Sequence, residues 1–242
     1  MGSCHKAIAE TTNALFANKH HKLETGLLLP LHNAVLLSRT TLPVVAGKPR
    51  SLAVVESAAL AEKKQLIVAA IRPEALQKLV ELETETKAIT QLWERENLED
   101  IYPTATLAVI YRMTPLPMGL VQLIVEGLER VEIVKLVQTD PAYAVKFKKL
   151  PAPTTKDAWA KGTDEQAIKS LWSEEAAMNS RFPKGLLGIL LNTRNLAWLA
   201  HQTSVLLQQD VPTSQVILEE GLEQLLRRIL AALQKELEVH KL

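Results

Sequence analysis

Apolar residues in this chain change their spacing near residue 150, and the change divides the expected structure into two parts. From Leu27 to Val45 the apolar runs are short and broken by Pro30 and Pro43, which predicts short strands. After Gly47, the segment Ser51 to Lys64 sets Leu52, Val55 and Ala59 on one helical face and gathers its charges near the end, so a helix is expected there. Gln65 to Ile71 and Thr106 to Met113 are compact runs rich in β-branched residues and read as buried strands. Between them, Pro73 to Asn97 is rich in Glu, Lys, Leu and Ala, with Leu82, Ile89 and Trp93 four or seven apart; it reads as an inserted helix. The prolines and glycine of Thr114 to Gly119 mark a hairpin tip, followed by a return strand from Leu120 to Glu126. Val131 to Val137 then forms a further strand, and Tyr143, Val145 and Phe147 share one face of the last.

The prolines of Pro151-Ala152-Pro153-Thr154-Thr155 stop helix and sheet alike and mark a border. Beyond them the pattern is helical: Asp164 to Arg181, Lys184 to Gln209, and a last helix capped by Asp210 with Pro212 in its first turn. In that last helix Leu218, Leu222, Leu225, Ile229, Leu233 and Leu237 form a continuous stripe with no stop signal before Leu242, so one long helix running on to the end is expected. The domain expectation is therefore a flexible segment over 1–26, a β-rich unit over 27–150 carrying the 73–97 insertion, and a helical unit over 156–242. Either unit, or one large domain, is big enough to bury a core without disulfides or metals.

Composition removes several functions. Twenty-eight basic and 27 acidic side chains leave a formal charge of +1, too weak a field to draw the chain onto nucleic acid or an anionic membrane. One cysteine, Cys4, permits no internal disulfide and no four-cysteine zinc site, which suits a reducing cytosol. The longest apolar stretches fall far short of the roughly 20 residues that span a bilayer. No stretch fits the phosphate-binding loop G-x-x-x-x-G-K-[ST], the G-x-S-x-G elbow or the H-E-x-x-H zinc helix. His20 and His21 are adjacent and do not share a helix face, and His32 and His201 are lone histidines; packing accounts for them better than catalysis or metal binding. No catalytic residue, cofactor or metal is expected, and the chain is read as one that binds.

The candidate binding surface is the hairpin tip. Two prolines keep its residues out of a ladder, so Leu116 and Met118 are expected to face outward; Met113 at the start of the tip is a further candidate contact, and Leu36 and Leu37 of an early loop are expected to extend the patch. Flexible Met and Leu side chains suit promiscuous apolar partners. The same side chains would equally serve to cover an end of the β-rich part or to touch the helices.

Four stretches carry a family resemblance. Leu28 to Leu36, Leu42 to Ser51, Asp100 to Ile110 and Val121 to Val134 are similar to the N-terminal domains of the ATP-dependent protease Lon. The phrase Val125-Glu126-Gly127-Leu128-Glu129-Arg130-Val131 is the most recognisable; Gln215 to Glu219 and Leu225 to Leu230 match more weakly. The chain departs from the pattern at His32, where arginine is commoner, at Ala105, where glycine is usual, and in the 73–97 insertion. The resemblance implies an α+β fold: a PUA-like β-barrel subdomain, then a helical bundle ending in a long helix. It also implies recognition of unfolded or damaged proteins in cytoplasmic quality control, next to Lon ATPase and peptidase domains and within a homo-hexamer. The other readings are a freestanding Lon-like domain that binds peptides or another ligand and, by fold analogy alone, an RNA-binding barrel.

Overall fold

The computed structural model describes residues 23–77, 98–152, 158–179 and 182–241. Among the described residues there are six strands. They are β1 (Glu24–Leu31), β2 (Thr41–Ala46), β3 (Gln65–Ala70), β4 (Thr104–Pro115), β5 (Val121–Gln138) and β6 (Ala144–Lys149), and helix α1 (Pro49–Leu60) precedes β3. The strand order is β2-β5-β4-β3-β1-β6, and β5 also pairs with β6. That extra ladder closes β1, β3, β4, β5 and β6 into a ring, while β2 lies on the first half of β5. Every contact is antiparallel except β1 with β3, a parallel pair that needs the long crossover through β2 and α1.

Alternation fills the ring. Leu28, Ile67, Ala108, Leu123, Val125, Val131 and Val145 are fully buried, and Val54, Val55 and Ala58 of α1 join the same core. Each large apolar side chain removed from water there contributes roughly 1.5–3 kcal/mol.

Five helices follow: α2 (Ala158–Met178), α3 (Lys184–Asn192), α4 (Leu196–Leu206), α5 (Val211–Glu219) and α6 (Leu222–His240). Ile168 and Trp172 of α2, Leu199 of α4 and Leu225, Ile229 and Leu233 of α6 share a second core. The Trp172 indole N–H donates to Thr203 Oγ1 at 2.9 Å, satisfying a buried polar group.

Several boundaries differ from expectation. The strand through Val121 to Gln138 is continuous: Gly127 sits inside it, pairs with Ala108, and does not end it. Strand β1 begins at Glu24, before the anticipated start at 27, because Glu24 to Leu27 pair with β6. The helix expected over 184–209 breaks where Asn195 caps α4, its side chain accepting the Trp198 amide. The single last helix breaks at Glu220 and Gly221, which are extended, so Leu218 belongs to α5 while Leu222 to Leu237 belong to α6. All six stripe residues are nevertheless buried. Asp210 caps α5 as anticipated, accepting the Thr213 amide at 2.9 Å. Residues 73–77 are helical; the rest of the expected insertion helix, and Pro153 to Thr155 of the expected border, lie outside the described residues.

Candidate functional site

Strands β4 and β5 form a long hairpin. Pro115 pairs with Val121, Thr114 with Gln122 and Met113 with Leu123, and the Leu116 amide donates to the Leu120 carbonyl at 2.8 Å. The turn Pro117–Gly119 is a short 3-10 piece in which Met118 (φ 64°) and Gly119 (φ 74°) both take left-handed backbone. Pro115 and Pro117 restrict the approach to the turn, so the tip is held stiffly although it projects.

Its side chains are largely bare. Met118 is 95% exposed and Tyr111 76%; Met113 is exposed and Leu116 half-buried. Tyr111 was missed by sequence reasoning because the ladder register shifts between Ile110 and Arg112, adding one residue that turns the ring outward. Val45 of β2, opposite Gln122, is also exposed. A strictly alternating strand gives no sign of such a bulge.

Leu36 and Leu37 do not extend this patch, which corrects the expectation drawn from their apolar character. Both are at most 2% exposed, Leu36 in the strand-ring core and Leu37 in the helical core. Their loop is pinned on both sides. The Thr106 hydroxyl donates to the Leu36 carbonyl at 2.6 Å, the Arg39 amide to the Gly127 carbonyl at 2.7 Å, and the Gly127 amide to the Thr40 carbonyl at 2.9 Å. A Cβ on Gly127 would overlap the Leu37 carbonyl, so only glycine lets the loop lie this close to β5.

The two cores are joined by polar contacts around the same loop. His201 of α4 places Nδ1 2.9 Å from the Ser38 carbonyl; burial, with a smaller push from Arg130, brings its pKa down to about 4. With a neutral ring, Nδ1–H is the donor to that carbonyl. Arg130 of β5 directs Nη1 at the Leu218, Glu219 and Glu220 carbonyls that end α5, and Nη2 at the Pro151 carbonyl. A guanidinium there satisfies orphan carbonyls and faces the negative end of the helix dipole. The Gln215 amide adds a bond to the Thr104 carbonyl at 2.9 Å. Arg130 lies in the phrase that carries the resemblance, but its neighbours in sequence give no hint of its helical partner.

Beside β2 lies an open groove of about 300 Å³ bounded by β2, the end of β1 and the start of α1. Lys48 Nζ donates to His32 Nε2 at 2.6 Å; burial, then the Lys48 charge, lowers the His32 pKa to about 4. Among the described residues there is no group of three His, Cys, Asp or Glu side chains able to hold a metal, and no helix long and apolar enough to cross a membrane.

A strand ring coupled to a helical bundle is the α+β architecture of solved Lon N-terminal domains. The N-terminal domain of Mycobacterium avium complex Lon protease superimposes with a TM-score of 0.65 at 12% identity, over 87% of this chain and 98% of that one. The Lon N-terminal domain protein from Xanthomonas campestris gives 0.56 at 16% identity, over 86% and 98%. The family described as the ATP-dependent protease La (LON) substrate-binding domain matches residues 26–235, and this chain belongs to that family. Similar curated proteins include Lon protease 1 of Herpetosiphon aurantiacus, 27% identical over 88% of this chain, and Lon protease of Escherichia coli K12, 24% identical over 88%. The chain spans about a quarter of the length of each, 24% and 25% respectively.

Proposed function

We propose that this chain is the substrate-recognition module of a Lon protease and captures unfolded or damaged protein segments through the β4–β5 hairpin. The observation that carries the reading is the set of apolar side chains standing bare on a stiff hairpin: Tyr111, Met113 and Met118, with Leu116 half-covered at the turn. Apolar groups exposed together on an otherwise well-packed domain mark interaction sites, and thioethers adapt to many partners. Family membership supports the reading. In the same proposal the closed strand ring is a PUA-like barrel subdomain over 27–150, and 156–242 is a helical subdomain leading toward the motor. The module works in the cytoplasm, beside ATPase and peptidase domains in a homo-hexamer, and contributes no catalytic group or cofactor of its own.

The test replaces Tyr111, Met113 and Met118 with serine together. Surface changes of this kind cost within about 0.5 kcal/mol each, so the variant is expected to melt near the parent temperature while binding denatured protein more weakly. Undiminished capture by the folded variant rules the hairpin out.

A further inference from the structure

Beyond Val109 the sheet narrows to three strands. Gln65 of β3 pairs with Val109, and past that point β4 keeps β5 on one side, with β2 on the far side of β5. Residues directly opposite one another on neighbouring strands project to the same face. Pro43, Ile124 and Arg112 therefore form one row across this flap, and Val45, Gln122 and Thr114 form the next. Pro43, Val45, Gln122 and Arg112 are exposed, while Ile124 and Thr114 are half-buried. Tyr111, turned out by the bulge, and Met113 flank Arg112 in the chain, and both are exposed.

Charged residues make up 23% of this chain, yet from Pro103 to Val125 Arg112 is the one charged side chain, and β2 has none. Glu126, the next acidic residue along β5, lines a cavity at the joint with Ser38 and His201. Among the described residues no ion pair engages Arg112. An apolar surface with a single guanidinium sets a sign for whatever lies on it. A segment whose apolar side chains cover Tyr111 and Met113 displaces water from around Arg112, so an unmatched charge there becomes more costly and a matched one stronger. A carboxylate meets a planar donor fork, with no acidic side chain of the flap in competition. A lysine in the same place meets like charge.

We propose that the flap selects apolar segments that carry an Asp or Glu beside their apolar residues, and that Arg112 holds that carboxylate. The inference rests on the recognition reading and deepens it: Tyr111, Met113 and Met118 give affinity for apolar segments, and Arg112 decides which of those segments are preferred.

The experiment measures, by fluorescence anisotropy, binding of an acetylated and amidated peptide with a Leu-Phe-Val core flanked on both sides by Glu, beside versions flanked by Gln and by Lys. The chain is expected to bind the Glu peptide about threefold more tightly than the Gln peptide and about tenfold more tightly than the Lys peptide, with the differences shrinking as salt is raised. Arg112→Gln should erase the Glu preference, and Arg112→Glu should reverse it in favour of Lys. A role for Arg112 in solubility alone would move neither order. If Arg112→Glu does not fold, Arg112→Gln and the salt series on the unaltered chain decide the matter. The inference is overturned if the three peptides bind alike, or if the Glu preference survives Arg112→Gln. Should the chain capture denatured protein through Tyr111, Met113 and Met118 yet show no order among the peptides, or bind none of them, this inference falls and the recognition reading stands; should it capture no denatured protein, both fall.

Discussion

Leu36 and Leu37 are consecutive in the chain and belong to different cores, Leu36 to the strand ring and Leu37 to the helical bundle. Their side chains therefore enter the two halves of the molecule from one loop. The arrangement depends on Gly127, whose bare α-carbon lies under the Leu37 carbonyl with Thr106 close by. Gly127→Ala should lift this loop from β5 and cost about 1–3 kcal/mol, measured by urea denaturation. Gly119→Ala is the control. Its position is open but left-handed, so the cost there should be nearer 1 kcal/mol.

Arg130 ties the longest strand to the end of α5 with donors to the Leu218, Glu219 and Glu220 carbonyls. Removing it leaves those carbonyls without their charged donor at a partly buried joint. Arg130→Ala is expected to lose about 2–3 kcal/mol, and Arg130→Lys, which keeps a charge but not the planar fork, about half of that. Chemical denaturation of the two variants checks the order. Equal losses would mean that packing of the side-chain stem, and not the fork, holds the joint.

His201 makes stability depend on pH. Its folded pKa of about 4 lies below the ordinary value of 6.5, so the unfolded chain binds the proton more readily. The contribution is complete above pH 6.5 and declines as pH falls toward 4, by up to about 3 kcal/mol. His32 is shifted in the same direction and more exposed, so its share is smaller. Urea midpoints at pH 7, 5.5 and 4.5 should fall for the parent chain and fall less steeply for His201→Leu. Parallel slopes would remove His201 as the cause.

The strands were legible because compact apolar runs and Val-Ile clusters point to a buried sheet, and the ring positions Ile67, Ala108 and Val125 are buried as that pattern predicts. The helix breaks were not. The stripe from Leu218 to Leu237 keeps its spacing across Gly221, so spacing alone hides the two extended residues that separate α5 from α6. Arg194 and Asn195 carry no Gly or Pro punctuation, and the cap at Asn195 becomes visible only from its bond to Trp198. Of the candidate surface, proline placement located the hairpin tip, whereas Tyr111 depended on a register shift and Leu36 and Leu37 on a loop whose course is decided by Gly127. Contacts distant in sequence, such as Arg130 with Leu218, leave no periodic trace.

Under the proposed function, this chain distinguishes unfolded from folded protein and does so at the hairpin. The most direct measurement offers the purified chain one protein in its native form and, separately, in a permanently denatured form, and maps the contacts by cross-linking and peptide sequencing. Binding to the denatured form alone, with cross-links concentrated between Tyr111 and Met118, is the expected result; equal binding to both forms would contradict it.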